Sequence, residues 1–77
     1  MITEPTDAMW RALIDFRDRH GRDWKRELTI KWMNGEDGRE RHSSSLREIR
    51  NHFGPSWLWD LEESLLDAAE RRLASPT

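Results

Sequence analysis

The sequence has 77 residues, enough for one small domain over residues 1–77 and too few to bury a second hydrophobic core. It contains no cysteine, which excludes disulfides and thiolate metal sites, and it concentrates its apolar area in five Trp and two Phe. The formal charge of −2 argues against a generic polyanion binder, although residues 20–54 hold eight Lys and Arg against six Asp and Glu.

The first predicted element is an amphipathic helix over residues 3–20. Its apolar side chains recur at helical spacing, with charged residues on the opposite side. Gly21 is expected to end it. Trp10 lies beside the apolar stripe and widens it, so this helix is expected to touch more than one neighbour. The stripe consists of Met9, Ala12, Leu13 and Phe16.

The segment "RDWKRELTIKWMNG" fits two secondary structures. As a helix over residues 23–33, capped by Asp23 and closed by Asn34 and Gly35, it places three apolar side chains on one side: Trp24, Leu28 and Trp32. As a strand, "LTIKW" alternates between two faces and would pair in a hairpin over residues 28–43. The helix is favoured because the partner strand, "GRERHSSS", has no apolar alternation.

A third predicted helix follows a charged loop at residues 35–44. The run Ser45-Leu46-Arg47-Glu48 has the pattern of a capping box, in which the Ser and Glu side chains each bond a free backbone N–H. The helix is expected to bury Leu46, Ile49 and Phe53, and Gly54-Pro55 is expected to stop it.

The fourth predicted helix covers residues 56–74. Trp57 and Trp59 lie about 100° on either side of the centre of its apolar stripe, so one neighbouring surface cannot cover both rings. Trp57, next to the Gly54-Pro55 turn, is expected to pack inward and Trp59 to lie on the open side. The stripe consists of Leu58, Leu61, Leu65, Leu66, Ala69 and Leu73.

Catalytic and metal-binding patterns are not apparent in the sequence. His20, His42 and His52 do not have the spacing of metal-binding motifs, and no nucleotide-binding or nucleophile motif occurs. Glu62 projects near the apolar stripe of the fourth helix, where a carboxylate must reach water or find a partner. We expect no enzyme activity, cofactor or metal, and we expect Glu62 to reach water at the rim of the fold.

Nucleic-acid binding is the alternative function, because basic residues are interleaved with Trp24 and Trp32 in the middle of the chain. The candidate contacts are Arg22, Lys25, Arg26, Lys31, Arg47 and Arg50. The second and third predicted helices lie about ten residues apart, too far for a helix-turn-helix. Six acidic residues in the same segment also weaken its positive electrostatic potential.

Two short segments resemble sequences of small bacterial proteins encoded on plasmids and other mobile elements. The first contains Gly21, Arg22, Trp24 and Lys25, and the second is "RNHFGPSWL" at residues 50–58. This resemblance covers residues 16–58. It implies a helix at residues 23–33 and an accessory role in a mobile element, and it assigns no activity.

These patterns together predict an all-α domain of four helices, with an α+β fold as the alternative. The expected function is binding of another macromolecule, in the first place a protein, and one form of it is a small inhibitor of a host complex. The candidate contacts are Trp59, Glu62 and Trp10. Self-association through the fourth helix is compatible with either function. The polar start "ITEPTD" and the lack of a long apolar run predict a cytoplasmic protein without a membrane span.

Overall fold

The fold is all-α, as predicted, in a computed structural model that describes residues 4–74. The helices are α1 (Asp7–His20), α2 (Trp24–Asn34), α3 (Ser43–Phe53), α4 (Pro55–Asp60) and α5 (Glu63–Ala74). Short 3₁₀ turns at Gly21–Asp23 and Asp37–Arg39 precede α2 and α3. No strand occurs in the described part of the chain, so the hairpin alternative at residues 28–43 is wrong.

Helix α1 is the central element and contacts α2, α3 and α5. It begins at Asp7, later than predicted, because the hydroxyl of Thr6 accepts a hydrogen bond from the backbone N–H of Met9 at 3.3 Å. Gly21 ends it with a φ of 79°, as the sequence predicted. The predicted stripe and Trp10 are all buried, which gives the core a continuous apolar wall.

Helix α2 has the predicted stripe, and its Trp24, Leu28 and Trp32 side chains are buried against the other helices. Gly35 closes it in the left-handed conformation, where its N–H bonds the last carbonyls of the helix. The predicted cap at Asp23 is wrong. Asp23 is the last residue of the 3₁₀ turn, with a φ of −91° and a ψ of 21°, and its side chain makes no capping hydrogen bond.

The capping box predicted at residues 45–48 is also wrong. Helix α3 begins two residues earlier, at Ser43, and His42 precedes it with a left-handed φ of 61°. Ser45 therefore lies within the first turn and not at the cap. Leu46 and Ile49 are nevertheless buried as predicted, since the apolar spacing and not the cap decides which side faces the core.

The fourth predicted helix is divided into α4 and α5. Leu61 has an extended ψ of 126°, and its carbonyl oxygen accepts a hydrogen bond of 2.6 Å from the Lys25 ammonium group. This bond joins the end of α4 to α2. The break changes the direction of α5, so that Leu66 and Ala69 face the core while Leu65 does not.

Ion pairs between elements fix the outer helices on α1. Arg17 of α1 contacts Glu70 and lies 3.1 Å from Asp67, both on α5. Glu40 lies between Arg19 of α1, at 3.1 Å, and Lys31 of α2, at 3.0 Å. These contacts join α1 to α5 directly and to α2 through Glu40.

Candidate protein-binding surface

An apolar groove runs between α4, α5 and the start of α1. Its volume is about 390 Å³. We call it the α4–α5 groove. Its lining residues are Glu4, Pro5, Trp10, Phe53, Trp57, Leu61, Leu65, Ala68, Ala69 and Arg72. Most of these side chains are aromatic or aliphatic, so a ligand in the groove would meet a largely apolar surface.

Stacked aromatic rings form one wall of the groove. The Phe53 and Trp57 rings are 4.5 Å apart and inclined at 22°. The turn at Gly54-Pro55 brings them together, since Gly54 takes a φ of 79° and Pro55 then begins α4. Trp57 is partly buried against the core, as predicted. The same turn that ends α3 therefore builds the aromatic wall.

Leu65 also lines the groove and is 50% exposed. The prediction that Leu65 belongs to the core is wrong, because a helix unbroken from residue 56 to residue 74 would have turned it inward. With α5 starting at Glu63, Leu66 and Ala69 take the core positions. An exposed leucine beside a concave apolar surface is a feature of binding sites.

The three predicted contact residues occupy different surroundings. Trp10 lines the groove but is only 9% exposed, so most of it belongs to the core. Trp59 is 53% exposed, as predicted, but it does not line the groove. Trp57 and Trp59 point roughly 200° apart around α4, which places Trp59 on the far side. Glu62 is exposed at the break after Leu61, as predicted for a residue that reaches water.

On the other side of α4, the exposed residues Pro55 and Trp59 form what we call the α4 edge. Pro55 lies four residues before Trp59 on the same side of α4, and it borders a shallow cavity together with Thr29 and Met33 of α2. Met33 and Trp59 are both exposed. Helix α4 thus presents the groove on one side and the exposed side chains of Pro55 and Trp59 on the other.

Charged residues of both signs border the groove. Arg72 lines the groove, but its guanidinium lies 3.0 Å from the Asp7 carboxylate. Glu4 and Glu62 are exposed and have no ion pair within residues 4–74. Arg71, next to the lining residue Arg72, is also exposed and has no ion pair within the described residues, so the free charge beside the groove is mixed in sign.

Most of the basic candidates contact other parts of the fold. Lys25 bonds the Leu61 carbonyl, Lys31 pairs with Glu40, and the Arg50 guanidinium donates to the Trp32 carbonyl at 3.3 Å. The Nε of Arg47 lies 3.4 Å from the carboxylate of Asp37, a buried acidic residue that the sequence pattern did not identify. Arg22 and Arg26 are exposed and have no ion pair within the described residues.

The two tryptophans of the basic segment are not available to stack on bases. Trp24 is 1% exposed and Trp32 is 4% exposed. The Trp24 Nε1 donates a hydrogen bond of 3.0 Å to Glu63, which fixes the ring beneath the start of α5. The stacking contacts expected of a single-strand binder are therefore absent from this pair.

Two charged groups have shifted pKa values. Burial by itself raises the pKa of Glu40, but hydrogen bonds from Lys31 and Arg19 outweigh it and hold that pKa below its ordinary value. Burial by itself lowers the pKa of Arg17, and its hydrogen bond with Glu70 and the nearby carboxylates raise it further than burial lowers it. Both shifts arise from interhelical ion pairs outside the groove.

Metal-binding geometry is not found in the described part of the chain. Among residues 4–74, no three His, Asp or Glu side chains are grouped where they would hold a metal ion. The His20 ring stacks on Phe16 with centroids 4.0 Å apart, and His52 is exposed. Each of these histidines has a packing or surface position.

Comparison with known proteins assigns neither a family nor a function to this chain. The sequence matches no protein-family profile, no curated protein and no solved structure. Within residues 4–74, no helix has the length and apolar character needed to cross a membrane.

Proposed function

We propose that this domain is a non-catalytic binding module that engages another protein through the α4–α5 groove. The observation that carries the proposal is the concave apolar surface between the Phe53–Trp57 wall and Leu65. The rest of the surface is highly charged, since 36% of the sequence is Asp, Glu, Lys or Arg. A contiguous apolar surface on such a small, charged protein marks a place where another molecule binds.

Aromatic groove walls suit a protein partner. Interfaces are enriched in Trp, Phe and Met, and a few well-packed side chains near the centre supply most of the binding free energy. An apolar side chain of the partner that entered the groove would bury Leu65 and the exposed parts of Trp57. Burial of apolar area contributes about 25 cal/mol per Å² before the costs of association are subtracted.

The finer form of the proposal is a cytoplasmic accessory protein of a mobile element, such as a small inhibitor of a host complex. It is supported by the small size and by the resemblance of residues 16–58 alone. The nucleic-acid alternative has less support, because Lys25, Lys31, Arg47 and Arg50 all contact the fold itself.

Affinity capture with matched variants tests the proposal. The domain, carrying a C-terminal affinity tag, is incubated with a bacterial lysate before and after nuclease treatment. Leu65→Asp places a charge in the groove wall, and Ile30→Asp is the control, because Ile30 is an exposed apolar residue of α2 that does not line the groove. Circular dichroism verifies that both variants fold.

The expected result is a set of proteins that wild type and Ile30→Asp retain and that Leu65→Asp loses, unchanged by nuclease. A Trp59→Ala variant separates the groove from the α4 edge. If Leu65→Asp retains the same proteins while Trp59→Ala loses them, the groove is not the binding surface. If all bands vanish with nuclease, the partner is a nucleic acid and the proposed function is wrong.

A further inference from the structure

We propose that the shallow cavity beside the α4 edge binds an organic carboxylate that carries a small apolar group. This cavity shares no lining residue with the α4–α5 groove, so the inference does not depend on the proposed function. It follows from two hydrogen-bond donors at the cavity, from the charge of its lining and from the apolar side chains around it.

The cavity lies between α2, α3 and α4, and we call it the Arg50 cavity. Its lining residues are Thr29, Trp32, Met33, Arg50 and Pro55. Its volume of about 280 Å³ is just below the range of about 300–1,000 Å³ that is typical of sites for drug-sized ligands. A smaller organic molecule, or the last residue of a peptide, suits this size.

The first donor is the indole N–H of Trp32. Trp32 is 4% exposed, and its Nε1 is shielded from solvent and has no hydrogen-bond partner within residues 4–74. Trp24, on the same stripe of α2, instead donates its Nε1–H to Glu63. A buried indole N–H normally has an acceptor, because without one it loses its hydrogen bond to water and gains nothing in exchange. An acceptor atom of a ligand would supply the bond that Trp32 lacks.

The second donor is the guanidinium of Arg50. Its Nη1 donates to the carbonyl oxygen of Trp32 at 3.3 Å, which holds the guanidinium beside the residue that carries the unpaired indole N–H. The other N–H groups of Arg50 have no acceptor within the described residues. Because this side chain is already anchored, less conformational entropy is lost when a ligand binds it.

The charge of the lining is positive. Among the described residues that line the cavity, Arg50 is the only charged one. No Asp or Glu is adjacent in the sequence to a lining residue, and the one charged neighbour, Lys31, pairs with Glu40. Arg50 and Asp37 also line a neighbouring cavity, where Asp37 lies 3.4 Å from the Nε of Arg47. The uncompensated charge of Arg50 favours a ligand with a single negative charge.

An organic carboxylate matches these features. Its oxygens can accept from Trp32 and from Arg50, and hydrogen bonds between guanidinium and carboxylate are strengthened by charge. Met33, which is 81% exposed, and Pro55 offer apolar contacts to the rest of the ligand. Inorganic phosphate fits less well, because its additional oxygens need more donors, and the Thr29 hydroxyl already donates to a backbone carbonyl at 2.8 Å. A free carboxylic acid and the C-terminus of a peptide both present the required group.

Titration of the ¹⁵N-labelled full chain, followed by NMR of the indole N–H signals, tests the inference. The probes are N-acetyl-leucine, a short acetylated peptide that ends in leucine with a free carboxylate, N-acetyl-leucine amide and inorganic phosphate. Trp32→Phe identifies the Trp32 signal, since it removes that N–H and keeps an aromatic ring in the core.

Two pairs of variants locate the site. Arg50→Gln removes the charge of the cavity, and Arg26→Gln is its control, because Arg26 is an exposed residue of α2 outside the cavity. Met33→Glu places a carboxylate at the exposed rim, and Ile30→Glu is its control at an exposed residue that does not line the cavity. Circular dichroism verifies the fold of each variant.

The expected result is a saturable shift of the Trp32 indole signal with N-acetyl-leucine or with the peptide. Arg50→Gln and Met33→Glu should each weaken binding about tenfold, while either control changes it less than about threefold. The neutral amide should bind at least about tenfold more weakly than N-acetyl-leucine. Tighter binding of the peptide than of N-acetyl-leucine would identify a protein C-terminus as the source of the carboxylate, and equal or weaker binding a free small acid.

Three outcomes overturn the inference. The first is binding of the neutral amide or of phosphate as tightly as the carboxylates. The second is a Trp32 signal that no probe shifts at millimolar concentration. The third is an affinity for N-acetyl-leucine that Met33→Glu leaves unchanged, which would place the ligand elsewhere and decides the matter even if Arg50→Gln does not fold.

Discussion

Helices α2 and α4 each carry two tryptophans but place them in opposite ways. In α2, Trp24 and Trp32 are eight residues apart, fall on one side of the helix and are both buried. In α4, Trp57 and Trp59 are two residues apart, with buried Leu58 between them, and Trp59 is exposed. The spacing of two tryptophans along a helix therefore determines whether both rings are buried in the core or one of them is exposed.

The rings also differ in their partners. Trp24 is anchored through its Nε1 to Glu63 and packs within the core, whereas Trp57 stacks on Phe53 at the edge of the core. Trp59 has no aromatic neighbour within the described residues. The three rings should therefore contribute to stability in the order Trp24, Trp57, Trp59, and substitutions at each position measure this gradient.

The largest effect is expected at Trp24. Trp24→Ala removes a fully buried ring and should lower the free energy of unfolding by about 3–5 kcal/mol, since the cavity left behind adds to the lost burial. Urea denaturation followed by circular dichroism measures it. A decrease of less than about 1 kcal/mol in the free energy of unfolding would contradict the burial of Trp24 in the core.

A proline in α2 tests the helix itself. Ile30→Pro should destabilise the protein by about 3 kcal/mol or more, because proline removes a backbone hydrogen bond and clashes with the preceding turn. Ile30→Ala is the control, since it shortens the same exposed side chain without changing the backbone. Equal midpoints of urea denaturation for the two variants would show that residues 24–34 are not a stable helix in solution.

The two rings of α4 should differ by a smaller amount. Trp57→Ala is expected to cost about 2 kcal/mol, from partial burial and the stack on Phe53. Trp59→Ala is expected to change the free energy of unfolding by no more than about 0.5 kcal/mol, as is usual for surface positions. Equal losses in urea denaturation at both positions would mean that both rings belong to the core and that the α4 edge does not exist.

The smallest effect concerns Glu40, which connects α2 to α1 through Lys31 and Arg19. Its pKa is lowered in the folded state, so the ion pairs stabilise the fold above the ordinary Glu pKa of about 4.3. That contribution is lost as the pH falls through the lowered pKa. We expect Glu40→Gln to cost roughly 0.5–1 kcal/mol near neutral pH.

Urea denaturation of wild type and Glu40→Gln between pH 7 and pH 2.5 measures this contribution. The difference between their unfolding free energies should be constant near neutrality and shrink in acid. A difference that grows as the pH falls would show that the pKa of Glu40 is raised in the folded state.

The apolar pattern of α2, together with the lack of a suitable partner strand, predicted its structure. Trp24, Leu28 and Trp32 recur at intervals of four residues, and the Asn34-Gly35 pair supplies the stop. The core positions of α1, and Leu46 and Ile49 of α3, followed from the same spacing, whereas Phe53, also predicted to be buried, is only partly buried and lines the groove. Local periodicity was reliable here because each of these helices buries a single stripe against its neighbours.

The break between α4 and α5 could not be predicted from local sequence. Leu61, Glu62 and Glu63 are all good helix formers, and the bond that opposes continuation comes from Lys25, 36 residues earlier. The groove depends on this break, because it exposes Leu65. The candidate surface was therefore predicted only in part. Of the predicted contacts, Trp10 lines the groove, whereas Trp59 and Glu62 are exposed outside it. The wall residues Leu65 and Phe53 were not identified as contacts.

The bond between Lys25 and the Leu61 carbonyl also affects the chemical reactivity of the chain. The sequence has two lysines, and the second, Lys31, pairs with Glu40. Acylation of either ε-amine removes its positive charge, so it would break a contact that joins α2 to another element. The exposed cations are mostly arginines, which such acylation does not modify. Lysine acetylation or an amine-reactive label would therefore weaken the packing of α2. It would leave most of the exposed cationic side chains unmodified.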